Sequence, residues 1–221
     1  MDLAYRRALA RSAGTLSALP DLSHRRFQRW NEEGVLDGVL RALAEDLKER
    51  GGLDLSECFV DGTFVGAKKG EHRWERPNGA RARSSWRWQM ALADGSGLPL
   101  AVCAASASPH EVTLVGVTLE ASFLEERPEK LIGERAYDSD PLDQALAEEG
   151  IEMIAPHRKN RRKPKTQDGR KLRRYKRRWK IERLFAWLSN FRRLVVRYER
   201  RAENYLGLVK LGCIVILLRY L

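Results

Sequence analysis

The stretch EKLIGERAYDSDPLDQALAEEGIEMIAP, residues 129–156, decides the fold. A short apolar run ends in a polar cluster, Asp140 followed by Pro141 starts a helix through Ala147, and IEMIAP reads as a further strand. Upstream, ECFVDGTFVGAKK (57–69) reads as a strand in which Cys58, Val60 and Phe64 are apolar and Asp61 is the conspicuous polar member. WRWQMALA (86–93) and LPLAVCAA (98–105) read as two more strands joined by the turn DGSG. Ser108, Pro109 and Glu111 have the spacing of a capping box that opens the next helix. From Leu16 to Arg50 the pattern is helical, with Leu36, Val39, Leu40, Leu43 and Leu47 on one stripe and Gly51 and Gly52 as the stop. Three strands, then helix, strand, helix and strand, predict an α/β fold with a mixed sheet and helices packed on its faces.

A chain of 221 residues with 43% hydrophobic content can bury one substantial core. Cys58, Cys103 and Cys213 are far apart and form no CxxC pair, which argues against a disulfide framework or a cysteine zinc site and fits a reducing cytoplasm. The opening MDLAYRRALARSAG lacks an apolar run of the secretory type. In the terminal YLGLVKLGCIVILLRYL, Lys210 interrupts an apolar stretch well short of the ~20 residues that span a bilayer, so a buried helix or strand is expected. No histidine cluster and no phosphate-binding glycine loop is present.

Charge is concentrated. Between Arg158 and Lys180 there are fourteen Lys and Arg against one acid, Asp168, whereas the whole chain carries +11. The remainder is close to neutral, and one basic surface expects a polyanion. The part from His157 to Arg174 is too charged to fold alone and is expected to be mobile without a partner. In the middle of RKLRRYKRRWKIERLFAWLSNFRRL (170–194) stands one carboxylate, Glu182. Tyr175, Arg178 and Glu182 are three and then four residues apart and share a face on a helix. Ile181, Leu184, Phe185, Leu188 and Phe191 form that helix's core stripe, while Tyr175, Trp179 and Trp187 fit either the rim of the core or stacking on bases.

Acids at strand ends converge on one sheet edge in such a fold. Asp61, Glu134 or Asp138, and Glu182 are the candidates. Close carboxylates need a cation, and hard oxygen donors select Mg²⁺ or Mn²⁺. Two ions about 3.5–4 Å apart serve phosphodiester chemistry. Blander roles exist for each acid. Asp61 suits a turn beside Gly62, Asp138 and Asp140 suit helix caps, and Glu182 suits a salt bridge with Arg178 worth a few tenths of a kcal/mol.

These residues together resemble bacterial insertion-sequence transposases of the DDE class, with an RNase H-like core, in the lineage named for insertion sequence five. LSECFVDGTFVGAKKG is similar to the family's first-aspartate strand, ASASPHEVTL to the following helix start, LIGERAYDSD to the second-acid strand and TQDGRKLRRYKRRWKIERLFAWLSNFRRLVVRYE to the glutamate helix with its Tyr175, Arg178 and Glu182 signature. The resemblance implies catalytic, metal-binding roles for Asp61, Glu134 and Glu182, with Mg²⁺ (or Mn²⁺) as cofactor. It implies DNA contacts from Arg174, Tyr175, Arg178, Lys180, Arg192 and Arg193, to double-stranded DNA of the terminal inverted repeats and target, by a homodimer, in the bacterial cytoplasm at the nucleoid and not at a membrane. Residues 1–52 would be a truncated helical segment of DNA-binding type and 53–221 the RNase H-like catalytic domain.

The chain departs from the family at Glu134, where aspartate is usual, and at Ser189, where lysine often stands. Relatives commonly carry a Gly/Lys-rich segment where this chain has WERPNGARARSSW, and codons exist for the latter whose shifted reading spells the former, as two compensating frameshifts would leave it. The expected function is metal-dependent cleavage and strand transfer at element ends; the alternative is a non-catalytic DNA-binding remnant. A basic RNA-binding accessory protein would explain the charge but not Asp61 or GERAYDSD.

Overall fold

A computed structural model describes residues 24–66 and 86–221, apart from positions 163, 165 and 168. The described part of a first helix, α1, covers 24–32, and α2 runs over Val35–Glu49. The continuous helix expected from Leu16 is thus broken in its described part at Gly34, whose φ of 72° is a left-handed conformation open to glycine at little cost; the portion before His24 lies outside the described residues. Leu36, Leu40, Ala44 and Leu47 form the buried stripe of α2, and Gly51 in the left-handed region follows its end.

Five strands form one sheet in the order β3-β2-β1-β4-β5, with β1 Cys58–Gly66, β2 Trp86–Ala93, β3 Pro99–Ser106, β4 Lys130–Ile132 and β5 Glu152–Ile154. β1, β2 and β3 form an antiparallel meander, while β4 and β5 join β1 in parallel. This is the mixed sheet expected from the sequence, with α3 (Val115–Glu120), α4 (Asp140–Glu148), α5 (Trp179–Ser189), the short α6 (Arg192–Val195) and α7 (Ala202–Leu217) packed around it. Phe59, Met90, Leu92, Leu100, Leu131 and Ile132 fill the centre, each contributing about 1.5–3 kcal/mol by leaving water. Strand β1 is buried over Cys58, Phe59 and Val60, half-buried over Asp61, Gly62 and Thr63, exposed at Phe64 and buried again at Val65, so Asp61 stands where the continuous buried run ends.

Three local expectations are corrected. Ser108 and Glu111 form no capping box: His110 is the cap residue, no side chain caps the turn, and the chain enters α3 through a 3₁₀ turn, Glu111–Leu114. There the Pro109 carbonyl accepts the Trp88 indole N–H (3.0 Å) and the His110 carbonyl accepts the Thr113 hydroxyl (2.7 Å), which fixes the turn by other means. Asp138 and Asp140 do not cap α4, whose cap residue is Ser139 and makes no side-chain cap bond. The described part of the basic stretch after His157 is tied to the fold. Arg161 bonds Asp138 and Asp140, both at 2.7 Å, and the Gln167 side chain bridges the Ala155 N–H (3.1 Å) and the Met153 carbonyl (2.9 Å).

The C-terminal apolar stretch forms α7, which packs on α2 and β3. Its Lys210 pairs with Asp37 of α2 at 2.6 Å. No helix among the described residues is long and apolar enough to cross a membrane. The segment WERPNGARARSSW lies outside the described residues except for its last tryptophan, Trp86, which begins β2.

Candidate active site

Asp61 sits within β1, opposite Ala91, rather than in a turn. One carboxylate oxygen accepts the Gly62 N–H at 2.9 Å. A Cβ on Gly62 would come 2.5 Å from the Met90 sulfur and 3.1 Å from the Trp88 ring, so a larger residue here would have to displace side chains of β2. Glu134 follows β4, whose Leu131 and Ile132 pair with Cys58 and Phe59 of β1. Gly133 is hemmed in likewise: its Cβ would lie 2.6 Å from the Tyr137 ring and 2.8 Å from the Met153 methyl.

Glu182 comes from α5, whose Ile181, Leu184 and Leu188 are buried. The β2–β3 turn fixes the height of this helix. Buried Asp94 accepts the N–H groups of Asp54 (2.9 Å), Ser96 (3.0 Å) and Leu98 (2.6 Å), and the turn's Gly95 and Ser96 carbonyls accept the Lys180 ammonium and the Arg183 guanidinium. Tyr175 lies in a 3₁₀ segment, Lys171–Arg177, ahead of α5, so the shared helical face holds for Arg178 and Glu182 only. The Tyr175 ring still lies 6.0 Å from the Arg178 guanidinium.

The three acids meet at that guanidinium. Arg178 Nη2 is 3.6 Å from Asp61 Oδ2 and 3.0 Å from Glu182 Oε1, and Nη1 donates to Glu134 Oε1 at 2.6 Å. The expected i,i+4 bridge therefore exists as one of three contacts, and Arg178 and Asp61 are only 13% and 14% exposed. Burial pushes the Asp61 carboxyl up to about 6; Arg178 and the Gly62 N–H oppose this, and the neighbouring charges of Glu134 and Glu182 add to it.

Asp138 belongs to a different cluster. It accepts the Arg158 N–H (2.8 Å), faces His157 Nδ1 (2.9 Å) and pairs with Arg161 (2.7 Å). Although burial acts to raise it, these partners hold its carboxyl below the usual carboxylate range. Of the two candidates for the second position, Glu134 joins Asp61 and Glu182 and Asp138 does not.

A fourth acid was missed by the sequence reading, which gave Glu111 to a cap. Its carboxyl is pushed up to about 7 by burial and then by the charges of Asp61 and Glu134, against Arg158 and Arg178. Spacing along the chain carried no signal of this, because the neighbours lie on β1 and beyond β4.

The basic residues divide into two sets. Buried Glu57 gathers Arg177, Arg174 (3.7 Å) and Lys180 (3.8 Å). Lys180 also lies over the Phe59 ring at 5.5 Å, so it and Arg178 point into the fold. Arg192 and Arg193 are exposed, with Arg193 3.4 Å from Glu199 and stacked on Tyr198 at 5.5 Å. Trp179 is 50% exposed. The Arg183 guanidinium sits 4.9 Å from its ring and 4.6 Å from that of Trp187.

The donor set fits a hard divalent cation in type and charge: Asp61, Glu134, Glu182 and nearby Glu111 are all carboxylates, and Asp61 and Glu111 are pushed up by burial and mutual repulsion. With the guanidinium between them, no three His, Cys, Asp or Glu side chains among the described residues stand at ligating distance from a common point.

Comparison with known proteins gives the family. The family described as the transposase DDE domain matches residues 53–218. The transposase named for insertion sequence element IS402 of Burkholderia cepacia is 34% identical over 157 residues, which cover 65% of this chain and 70% of that one. Among solved structures, the piggyBac transposase in a synaptic complex with hairpin DNA has 13% identity and a TM-score of 0.48, over 75% of this chain and 47% of that one. The Mos1 strand transfer complex has 11% identity and a TM-score of 0.38, over 89% and 60%. This chain thus spans less than two thirds of either structure, and its family rests on the sequence matches. The chain belongs to the transposase DDE domain family.

Proposed function

We propose that this chain is the transposase of an insertion sequence of the lineage named for insertion sequence five, binding terminal inverted repeats and catalysing metal-dependent cleavage and strand transfer. One observation carries the reading: carboxylates from β1, from the end of β4 and from α5 reach a single guanidinium. Asp61, Glu134 and Glu182 would hold Mg²⁺ or Mn²⁺, which supplies activation of a water or 3′-hydroxyl and stabilisation of the leaving oxygen. The protein's own part is to set those donors. Glycines at 62 and 133 let the strands close behind the acids, and the Asp94 turn sets the position of α5. Arg178 supplies the acids' counter-charge.

Arg192 and Arg193, exposed beyond the C-terminal end of α5, are the first phosphate contacts in this reading, with Arg174 and Tyr175 ahead of its N-terminal end and Arg178 and Lys180 set deeper. Binding through six phosphates loses roughly three decades of affinity between 50 and 200 mM salt. A homodimer would hold two element ends. The test is a strand-transfer assay on inverted-repeat DNA with Mg²⁺ or Mn²⁺. Cation-dependent joining that Asp61→Asn abolishes is expected. Salt-sensitive binding without joining, in the presence of either cation, would instead give a non-catalytic DNA-binding remnant.

A further inference from the structure

Trp179 opens α5, yet the buried side of that helix is made by Ile181, Leu184 and Leu188. The indole is 50% exposed. Trp179, Arg183 and Trp187 follow one another at intervals of four residues and so form one stripe along the helix. Glu182, three residues after Trp179, adjoins this stripe, and its side chain is exposed as well. The Arg183 guanidinium lies 4.9 Å from the Trp179 ring and 4.6 Å from the Trp187 ring, and Trp187 meets Tyr220 with 6.2 Å between ring centroids.

Arg183 is fixed in this place from below. Its Nη2 donates to the Ser96 carbonyl of the β2–β3 turn, and the turn closes so tightly that a Cβ on Gly97, whose φ is 86°, would lie 2.6 Å from the same nitrogen. Its Nε is buried and has no acceptor among the described residues, a cost that the fold carries to keep the guanidinium between the two indoles. Trp179 is thus an exposed aromatic surface held by an anchored cation. A planar ligand that stacks on it has little side-chain freedom to quench. The charge around it selects an anionic ligand: Arg174, Arg177, Arg178 and Lys180 lie ahead of it or one residue on, and Arg192 and Arg193 follow the helix. A nucleotide combines a planar ring with such a charge. Bases in an intact duplex are stacked on one another, so an indole can cover a base face only where the base has left the stack.

We propose that Trp179, held by Arg183, is a stacking site for an unpaired nucleobase, so that DNA beside Glu182 is engaged as a single strand. The inference rests on the DNA-binding reading above and adds contact with a base to contact with phosphates.

The test compares binding of the full chain to two labelled single strands of about a dozen nucleotides, by fluorescence anisotropy. One is oligodeoxythymidylate; the other is an abasic strand of the same length, which keeps the phosphates and lacks the bases. The parent should bind the thymidylate strand about tenfold more tightly. Both affinities should fall between 50 and 200 mM salt while their ratio holds, since phosphate contacts are shared and stacking is not a charge interaction. Trp179→Ala should abolish the preference and leave binding of the abasic strand unchanged, and Trp179→Phe should keep part of it. Thermal unfolding shows whether each variant folds. Should Trp179→Ala fail to fold, Trp179→Leu, which keeps apolar bulk without an aromatic ring, takes its place. Equal binding of the two strands by the parent, a preference that survives in the folded variant, or binding of duplex alone overturns this inference and leaves the DNA-binding reading standing. Binding of neither single strand nor duplex overturns both.

Discussion

Glu134 and Asp138 are four residues apart in one motif, GERAYDSD, and they end in opposite electrostatic settings. Asp138 is 4% exposed and pairs with His157 and Arg161 while accepting the Arg158 N–H, so its negative charge is matched by contact. Glu134 joins a group of carboxylates that outnumber the one guanidinium among them, and Asp61 in that group is pushed up to about 6. The first cluster is satisfied and locks the turn before α4 to the chain after β5. The second is short of positive charge. A folded protein tolerates such a deficit mainly where a ligand relieves it. On the proposed reading, the difference between the clusters separates a structural acid from a site acid when spacing leaves the two equivalent.

The strongest way to break the comparison is activity. Asp61→Asn or Glu182→Gln should lower strand transfer by about a hundredfold or more, the scale on which one preorganised electrostatic group acts. Asp138→Asn, assayed where it remains folded, should keep activity within a few-fold. Equal losses in all three would mean that the two clusters form one functional unit.

Stability should show the reverse order. Asp138→Asn removes the charge shared by His157 and Arg161, leaving Arg161 with Asp140 alone, and is expected to lower the urea midpoint at pH 7. Because the folded carboxyl lies below its ordinary value of 3.8, this contribution is present above that value and disappears as pH falls through the lowered one. The variant and parent should converge in strong acid. A gap that stays constant down to that range would mean that Asp138 acts by shape rather than by charge.

Asp61 should have the opposite sign. Its folded carboxyl lies near 6 against an ordinary 3.8, so the folded state keeps a proton that the unfolded state has already released. The metal-free parent therefore loses stability as pH rises from about 4 to about 6, by up to about 3 kcal/mol, and holds that loss above it. Asp61→Asn should reduce the slope by this amount and leave the part owed to Glu111, whose carboxyl is also raised, measured by urea unfolding in chelator across pH 4 to 8. A slope of the same size in the variant would assign it to other groups.

Much of this fold was legible because the signals were local. The strand containing Asp61, the DGSG turn and the helix after Asp140 are each set by residues next to one another, and all three stand where periodicity and turn chemistry put them. The features that escaped depend on neighbours distant in sequence. Gly34 breaks a stripe that would otherwise read as one helix. Glu111 fits a capping pattern by spacing, but the chain turns there to meet the residues after β4. Spacing could not separate Glu134 from Asp138, because the answer lies with His157 and Arg161 after β5 and with Arg178 before α5. The three-acid set was found by resemblance to a family, and its meeting at one guanidinium is a tertiary fact that no single segment encodes.

The smallest effect is the one that bears most directly on Glu134. Glu134→Asp keeps the charge and shortens the arm by one methylene, and Glu134 is 42% exposed, so stability should change by no more than about 1 kcal/mol. Its consequence for the site depends on what the longer arm does. Here that arm carries a carboxylate oxygen onto Arg178, 2.6 Å from Nη1. A shorter side chain lies closer to the strand end, beside Asp61, and loosens its hold on the guanidinium. If the cation site needs the geometry that an aspartate gives, strand transfer should rise several-fold and Mn²⁺ should bind more tightly, since Mg²⁺-type coordination tolerates little displacement of a ligand. A fall in both would mean that Glu134 reaches its place because of its length, and that the rest of the site has adjusted around it.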